Sequence, residues 1–172
     1  KEKKEIILKQ NGKCAFCGVG SVITLKDDGA LYIDEDAALE FRDMEIRGIA
    51  GENVSCLSDT SCVTLDSTNW VQSESFSWKN GSILFKDFVH MMGTSTFSYS
   101  SSQTSTIASC SEWRVGDGMH LCMGRDPITA NDPIYFENSS SKLHLDNCTI
   151  ISTTHGIMLT RGTLALERLV NI

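Results

Sequence analysis

Short pairs of apolar residues separated by one spacer recur along almost the whole chain, and this pattern limits the folds that the chain can adopt. Each pair shows the period-two alternation of a β-strand, in which successive side chains leave opposite faces. The pairs are Ile23/Leu25, Leu31/Ile33, Leu39/Phe41, Val63/Leu65, Phe76/Trp78, Ile83/Phe85, Phe97/Tyr99, Trp113/Val115, Ile134/Phe136, Leu143/Leu145, Ile157/Leu159 and Leu164/Leu166. No apolar pattern of period 3.6 persists long enough to predict a helix. The sequence therefore predicts an all-β protein built from many short strands.

Several pairs belong to a longer motif that repeats at intervals of about 20 to 30 residues, which is near the length of one solenoid coil. The segments ALEFRDMEIRG, SILFKDFVHMMG, KLHLDNCTIIS and TLALERLVNI each contain an alternating pair, two polar residues and further apolar positions. The second apolar residue of each pair anchors the motif at Phe41, Leu65, Phe85, Val115, Leu145 and Leu166. A coil of this kind cannot bury its apolar residues by itself, and stacking places like residues above like residues.

We therefore expect residues 20–172 to form a right-handed parallel β-helix, or β-solenoid, of roughly six coils. Residues 1–19, which begin with the charged segment KEKKEIILKQ, would form an N-terminal cap or lead-in. An antiparallel β-sandwich also contains many short strands separated by turns and remains the alternative. The recurring motif favours the solenoid, because the strands of a sandwich need not resemble one another.

The cysteines and one apolar position of the motif give more detailed predictions. Met44, Phe88, Cys148 and Leu169 are predicted to form one inward core column, which makes Cys148 a small buried hydrophobe. The other six of the seven cysteines form the local pairs Cys14/Cys17, Cys56/Cys62 and Cys110/Cys122. These pairs would suit short disulfide loops in an oxidising compartment, with buried free thiols as the alternative. A metal site has less support, because one Cys-x-x-Cys without a second pair is weak evidence for zinc.

Composition excludes some classes of function. The net charge of −7 argues against nucleic acid as a partner, because phosphate binding needs a basic surface. No apolar run approaches the roughly 20 residues of a membrane-spanning helix. The charged N-terminal segment does not read as a signal peptide.

No motif in the sequence demands an enzyme or a cofactor. Glycoside hydrolysis needs two carboxylates facing each other across a groove, and the adjacent pair Asp27/Asp28 lies in the turn-like segment KDDGALY. Aspartates recur at similar motif positions and are expected to cap corners: Asp43, Asp66, Asp87, Asp117 and Asp146. The histidines fall in different repeats and are interpreted as scattered surface residues: His90, His120, His144 and His155.

A cluster of aromatic residues is the better indication of a binding site. Trp70, Phe76 and Trp78 lie close in sequence and, if they face outward, would form a platform on which sugar rings stack. A core position is the favoured interpretation, because other repeats have Leu or Ile at these places.

The repeat pattern through residues 20–172 resembles the right-handed parallel β-helix repeats of large bacterial surface proteins, such as autotransporter passengers and polymorphic outer-membrane proteins. The resemblance is clearest in the segment FENSSSKLHLDNCTIISTTHGIMLTRGTLAL. It implies an exported protein that is displayed at the cell surface and has a structural or adhesive role.

The C-terminal sequence LERLVNI stops inside a strand motif without a polar cap. An open coil exposes unpaired backbone groups and apolar residues, so we expect either a longer parent chain or a second copy that stacks end to end and builds a filament. The predicted function is therefore a non-enzymatic structural or adhesive module outside the cell. The alternative is a β-helix that binds or cleaves carbohydrate, with surface glycans as partners.

Overall fold

The computed structural model describes residues 4–26, 28–124, 132–152, 157 and 159–171. Within these ranges the chain forms strands and no helix. The strands are β1 (Glu5–Leu8), β2 (Lys13–Thr24), β3 (Ala30–Ile33), β4 (Ala38–Gly51), β5 (Val54–Cys56), β6 (Cys62–Asp66), β7 (Asn69–Trp78), β8 (Ser82–Lys86), β9 (Phe88–Met92), β10 (Thr96–Tyr99), β11 (Ser105–Ile107), β12 (Glu112–Gly116), β13 (His120–Met123), β14 (Ile134–Phe136), β15 (Lys142–Asp146), β16 (Thr149–Ser152) and β17 (Thr163–Glu167).

The strands form four parallel stacks, called sides A to D, in a β-solenoid of about six turns. Each coil passes through three of them: A, B and C in the first three coils, and D, B and C in the later ones. Side A contains β1, β3 and β5. Side B contains the first parts of β2 and β4, followed by β6, β8, β11 and β14. Side C contains later parts of β2 and β4, the start of β7, then β9, β12, β15 and β17. Side D contains the end of β7, then β10, β13 and β16. The all-β solenoid is thus confirmed, and the antiparallel sandwich is wrong.

Apolar residues in register form continuous inward rows along the stack. The side C row consists of Ile23, Ile46, Trp70, Met91, Val115, Leu145 and Leu166. The side B row consists of Phe16, Phe41, Leu65, Phe85, Ile107 and Phe136. The middle members of the side C row, from Ile46 to Leu145, are 0% exposed. Each coil therefore buries its apolar residues against the coils above and below it.

The repeated motif changes side between the fourth and fifth coils. Its anchors Phe41 and Phe85 lie in the side B row, whereas Val115 and Leu145 lie in the side C row. β8, which contains Phe85, stacks on β6 of side B, whereas β12, which contains Val115, stacks on β9 of side C. The long interval between Phe85 and Val115 therefore includes one additional side of the coil, which explains why the motif has no strict period.

Left-handed residues make the sharp corners of the coils. Asp43, Asp87 and Asp117 have φ values of 53°, 51° and 61°, a conformation that a short polar side chain tolerates. Gly81 has a φ of 66°, and a Cβ atom there would lie 2.5 Å from the carbonyl oxygen of Ser61. Only glycine fits this corner without displacing the neighbouring coil.

Two of the recurring aspartates do not form corners. Asp66 and Asp146 precede the left-handed residues Ser67 and Asn147, whose φ values are 48° and 49°. Their carboxylates instead form ion pairs with neighbouring coils. Their predicted role as corner caps is therefore replaced by a role in cross-coil ion pairing.

The predicted core column does not form, because Met44 pairs with Ser21 on side C, whereas Cys148 lies between β15 of side C and β16 of side D. Met44 and Cys148 are buried, at 7% and 2% exposed, but Phe88 and Leu169 are 45% and 82% exposed. Phe88 is in register with the outward residue Glu112. Because side chains alternate along β9, the burial of Val89 and Met91 requires Phe88 to face outward. Leu169 follows the last strand, where no described coil covers it.

The N-terminal segment contributes strands to the stack. β1 pairs in parallel with β3, and residues 13–17 of β2 pair with residues 38–42 of β4. Stacked strands are therefore already present before residue 20.

Two adjacent methionines provide a matched test of the inward and outward faces. Met91→Ala should lower the free energy of unfolding by about 2–5 kcal/mol, because it opens a cavity in the core. Met92→Ala should change it by less than about 1 kcal/mol, because Met92 lies on the partly exposed face. Urea unfolding followed by tryptophan fluorescence measures both values, and equal losses would contradict the alternation in β9.

Candidate functional site

Charged side chains on the outer surface of side C form a network that spans the last three coils. This charged surface consists of Glu112, Arg114, Lys142, His144, Asp146, Glu167 and Arg168. β12, β15 and β17 bring these residues together, because Glu112 is in register with Lys142, Arg114 with His144, and Asp146 with Glu167. The alternation that sends Trp113, Leu143 and Leu164 inward sends their neighbours outward.

Asp146 is the centre of one half of this surface. Its Oδ1 and Oδ2 atoms accept hydrogen bonds from Nε and Nη2 of Arg168, at 2.7 and 2.5 Å. Oδ2 also accepts one from Nη2 of Arg114, at 2.7 Å. The Asp146 side chain is only 4% exposed. Hydrogen bonds from Arg168 and then Arg114 hold the pKa of the Asp146 carboxyl far below its usual range. Asp146 therefore remains a carboxylate that links three coils.

His144 is the centre of the other half. Its Nδ1 lies 2.8 Å from Oε1 of Glu112, and its Nε2 lies 2.8 Å from Oε2 of Glu167. A carboxylate only accepts hydrogen bonds, so each ring nitrogen that carries a proton donates to the carboxylate beside it. The residue is buried, at 8% exposed, which corrects its interpretation as a surface histidine. His144 thus connects the last coil to the coil that lies two below it.

Glu112 is held as an anion by its cationic partners. Burial acts to raise the pKa of Glu112, but hydrogen bonds from Lys142 and His144 outweigh this effect and lower it. Nζ of Lys142 lies 3.0 Å from Oε2 of Glu112. A general acid needs a raised pKa, whereas Glu112 and Asp146 shift in the opposite direction. The geometry therefore favours the joining of coils over proton transfer.

A smaller network of the same kind lies at the corner of side B. Asp66 accepts hydrogen bonds from Nε of Arg42 at 3.3 Å and from Nζ of Lys86 at 3.2 Å. The three residues are in register on β4, β6 and β8. Positive, negative and positive charges thus alternate along the stack, which stabilises its register.

The first coil is open at the N-terminal end of the solenoid. Ile6 and Ile7 are 60% and 41% exposed. An apolar pocket at this end is lined by residues that include Leu8, Cys14 and Phe16. β2 pairs with β4 along one edge, and no described strand pairs with its other edge.

The last coil is open at the opposite end. Leu166 of β17 is 53% exposed although it belongs to the side C inward row, and Leu169 is 82% exposed. β17 pairs with β15, and its other edge has no partner within the described part of the chain. Among the described residues, the outer edges of β2 and β17 are thus unpaired at the two ends of side C, and apolar side chains at both ends are exposed.

The favoured core position of the clustered aromatic residues is confirmed, and the alternative of a sugar-binding platform is wrong. Trp70, Phe76 and Trp78 are 0%, 1% and 1% exposed, so they belong to the core. Trp70 packs edge-on against Phe76 with ring centroids 5.2 Å apart, and Phe76 stacks on Phe97 at 5.8 Å. Solvent does not reach these rings, so they cannot stack on a sugar at the surface.

The three predicted local disulfides are not formed, and the two members of each pair lie on different faces of a strand or on different parts of the coil. All seven cysteines are free thiols, and the six that were paired in the prediction are Cys14, Cys17, Cys56, Cys62, Cys110 and Cys122. In the first pair, Cys14 and Cys17 are three residues apart on β2, so their side chains leave opposite faces of the strand.

The other two predicted pairs lie on different sides of the coil. Cys56 is buried at the end of β5 on side A, whereas Cys62 is half-buried at the start of β6 on side B. Cys110 is exposed at a left-handed corner before β12. Cys122 is half-buried on β13 of side D, at an outward position between the buried residues Leu121 and Met123. The side C strand β12 lies between Cys110 and Cys122, so the predicted disulfide between them is wrong.

The environments of the thiols differ in their effect on reactivity. Burial raises the pKa of the Cys56 thiol to about 12. Hydrogen bonds from Ser140 and then Ser109 lower the pKa of the Cys110 thiol. The alternative of buried free thiols therefore fits Cys56 and Cys148, but it does not fit the exposed Cys110.

The described ranges contain neither a metal centre nor a membrane-spanning helix. No group of three or more histidine, cysteine, aspartate or glutamate side chains in these ranges is placed to hold a metal ion. No helix there has the length and hydropathy needed to cross a membrane. Asp27, one member of the adjacent aspartate pair, and His155 lie outside the described residues.

Comparison of the chain with protein-family models, with curated proteins and with solved structures finds no match. The fold therefore stands on the strand pairing itself.

Sequence reasoning missed the charged surface, although one signal was present. The spacers Arg114 in EWRV and His144 in KLHLD, and Glu167 at the end of TLALE, are charged or ionisable and lie in coils that stack directly on one another. An alignment of the coils by register, rather than by anchor position, would have brought these spacers together.

The lowered pKa of Asp146 predicts a loss of stability in acid. In the acidic range, around and below the ordinary aspartate value of roughly 3.9, the unfolded chain binds more protons than the folded chain. The free energy of unfolding therefore falls as the pH falls. Asp146→Asn removes this group, so the loss between pH 7 and pH 3 should be smaller than in the wild type. Urea unfolding at both pH values measures it.

Asp87→Asn is the matched control for this experiment. Asp87 is exposed at a left-handed corner that asparagine also tolerates. This variant should keep the acid sensitivity of the wild type. An Asp146→Asn protein with the same acid sensitivity as the Asp87→Asn protein would contradict the assigned role of the Asp146 ion pairs.

Proposed function

We propose that this chain is a non-enzymatic structural or adhesive β-solenoid module, exported to the cell surface, whose terminal coils associate end to end into a filament. The observation that carries the proposal is that no described coil covers the outer face of the first or the last described coil. Ile6 at one end and Leu166 at the other are more than half exposed, at 60% and 53%. Each lies beside a strand edge that has no partner among the described residues.

The energetics of the fold support association at these ends. Inside the stack, a row residue such as Val115 is 0% exposed because coils lie on both of its sides. In the first and last described coils, a neighbouring coil covers the row residue from one direction only. Burial of apolar surface contributes roughly 25 cal/mol per Å², and free strand edges recruit further strands. A further coil is the partner that satisfies both requirements.

The location at a cell surface is supported by the resemblance of the repeat pattern to bacterial surface solenoids. The structural role is supported by the charged surface, whose carboxylates are neutralised by Arg, Lys and His side chains from neighbouring coils. Such contacts make a rod stiff along its axis without leaving reactive groups free.

A carbohydrate-binding or carbohydrate-cleaving function receives less support. It requires outward carboxylates and aromatic rings on one side of adjacent coils. Carboxylates do cluster on side C, but they are held in ion pairs, and the tryptophans proposed as a platform are buried. Phe88 is the aromatic residue that remains exposed beside this surface.

Electron microscopy with a matched pair of variants tests the proposal. The purified wild-type chain should form regular fibres. Leu166→Glu should abolish them, or raise the protein concentration needed at least tenfold, because it places a charge on the uncovered row. Leu57→Glu should assemble as the wild type does. Leu57 is 52% exposed, which closely matches Leu166 at 53%, but it lies in the third coil.

Two results would contradict the proposal. One is a wild-type chain that stays a monodisperse monomer at high concentration in sedimentation velocity. The other is a Leu166→Glu protein that assembles as readily as Leu57→Glu. Circular dichroism of both variants verifies that the solenoid remains folded.

A further inference from the structure

We propose that the partner of the last coil is a second copy of this chain, joined head to tail in one register: β17 of one copy pairs in parallel with residues 21–24 of β2 of the next copy. Leu166 then lies over Ile23, and Ala165 lies beside Val22. This inference rests on the proposed end-to-end association and specifies its geometry.

The side C row fixes the register. It begins at Ile23 and continues through the stack to Leu166, with one member in each successive side C strand. Both end members are incompletely buried, and every member between them is 0% exposed. When Leu166 is placed over Ile23, the row continues across the joint with the spacing that it has inside the molecule.

The outward residues are compatible with this register. In the chain itself Val22 pairs with Glu45, and His144 pairs with Ala165. Across the joint, the register places uncharged Ala165 beside uncharged Val22 and Glu167 beside Thr24. Like charges directly opposite one another destabilise a strand pair, and none face each other here.

The charges favour a head-to-tail joint over a head-to-head joint. Residues 4–26 expose the lysines Lys4, Lys9, Lys13 and Lys26 against one glutamate, Glu5. Two N-terminal coils facing each other would bring these lysines together. The described residues of the last coil carry Arg161, Glu167 and Arg168, and the last two are paired with neighbouring side chains, so this coil brings less positive charge to a joint than a first coil does. The basic first coil therefore fits the last coil better than it fits another first coil, and such a heterologous contact extends into a filament.

Cysteine cross-linking tests the register directly. In a Cys14→Ala, Cys17→Ser, Cys110→Ser background, Val22→Cys is combined with Ala165→Cys in one chain. The two Cα atoms would lie about 4.8 Å apart across a strand pair, within the range of about 4.4–6.8 Å that a disulfide spans. The matched control combines Val22→Cys with Thr163→Cys. A shift of two residues along the strand separates these Cα atoms by about 8 Å, which a disulfide does not bridge.

Mild oxidation with copper phenanthroline, followed by non-reducing gel electrophoresis, gives the readout. We expect a series of covalent multimers for the 22/165 pair. The 22/163 pair and the background should each give at least tenfold less covalent multimer. Multimers that favour the 22/163 pair, or fibres that form without 22/165 cross-links, would overturn the register and leave end-to-end association intact. A wild-type chain that forms no fibres would overturn both.

A second measurement uses the native cysteines and does not depend on the background. Val22→Glu with Ala165→Glu should raise the protein concentration at which fibres form by about threefold, which corresponds to roughly 0.6 kcal/mol for a like-charge pair. Val22→Lys with Ala165→Glu should return it to the wild-type value. An equal effect of both double variants would overturn the register.

Discussion

Every coil of this protein depends on its neighbours to bury its apolar residues. A strand such as β9 presents only two inward side chains, Val89 and Met91, and both are fully buried because β7 and β12 lie on either side. A coil with so few inward residues cannot offset the conformational entropy lost when it folds alone. Stability is thus a property of the stack, and it decreases where the stack ends.

The ion pairs follow from the same constraint. Because like positions lie above one another in a parallel stack, a row of identical charges would repel. Instead, Arg42, Asp66 and Lys86 alternate in sign across three coils, and His144 lies between the carboxylates of Glu112 and Glu167. Ion pairs at an exposed surface contribute little to stability, but the burial of Asp146 and His144 gives these contacts a role in fixing the register. The last coil is attached to its neighbours by both Glu167 and Arg168.

The sequence predicts the fold well because strand alternation and repetition are local properties. The rows of Phe41 and Val115 could be predicted from apolar pairs without knowledge of the tertiary structure. The assignment of Phe41 to side B and of Val115 to side C could not be predicted. One additional strand lies between these two parts of the chain, and the motif reads the same before and after it. Phe88 shows the same limit: its place in the motif matches Met44, but the alternation of β9 turns it outward. The charged surface was not predicted because His144 and Glu112 meet through register, over a sequence separation that includes a whole coil.

Association of the terminal coils is the central claim, and hydrogen–deuterium exchange as a function of protein concentration tests it most directly. Amides in β17 and in residues 21–24 of β2 should become protected together as the concentration rises, because their free edges acquire a strand partner. Amides of β6, which already has neighbours on both sides, should remain unchanged and serve as the internal reference. Protection at both ends that appears over the same concentration range is the predicted result. Exchange at β2 and β17 that does not depend on concentration would contradict the account.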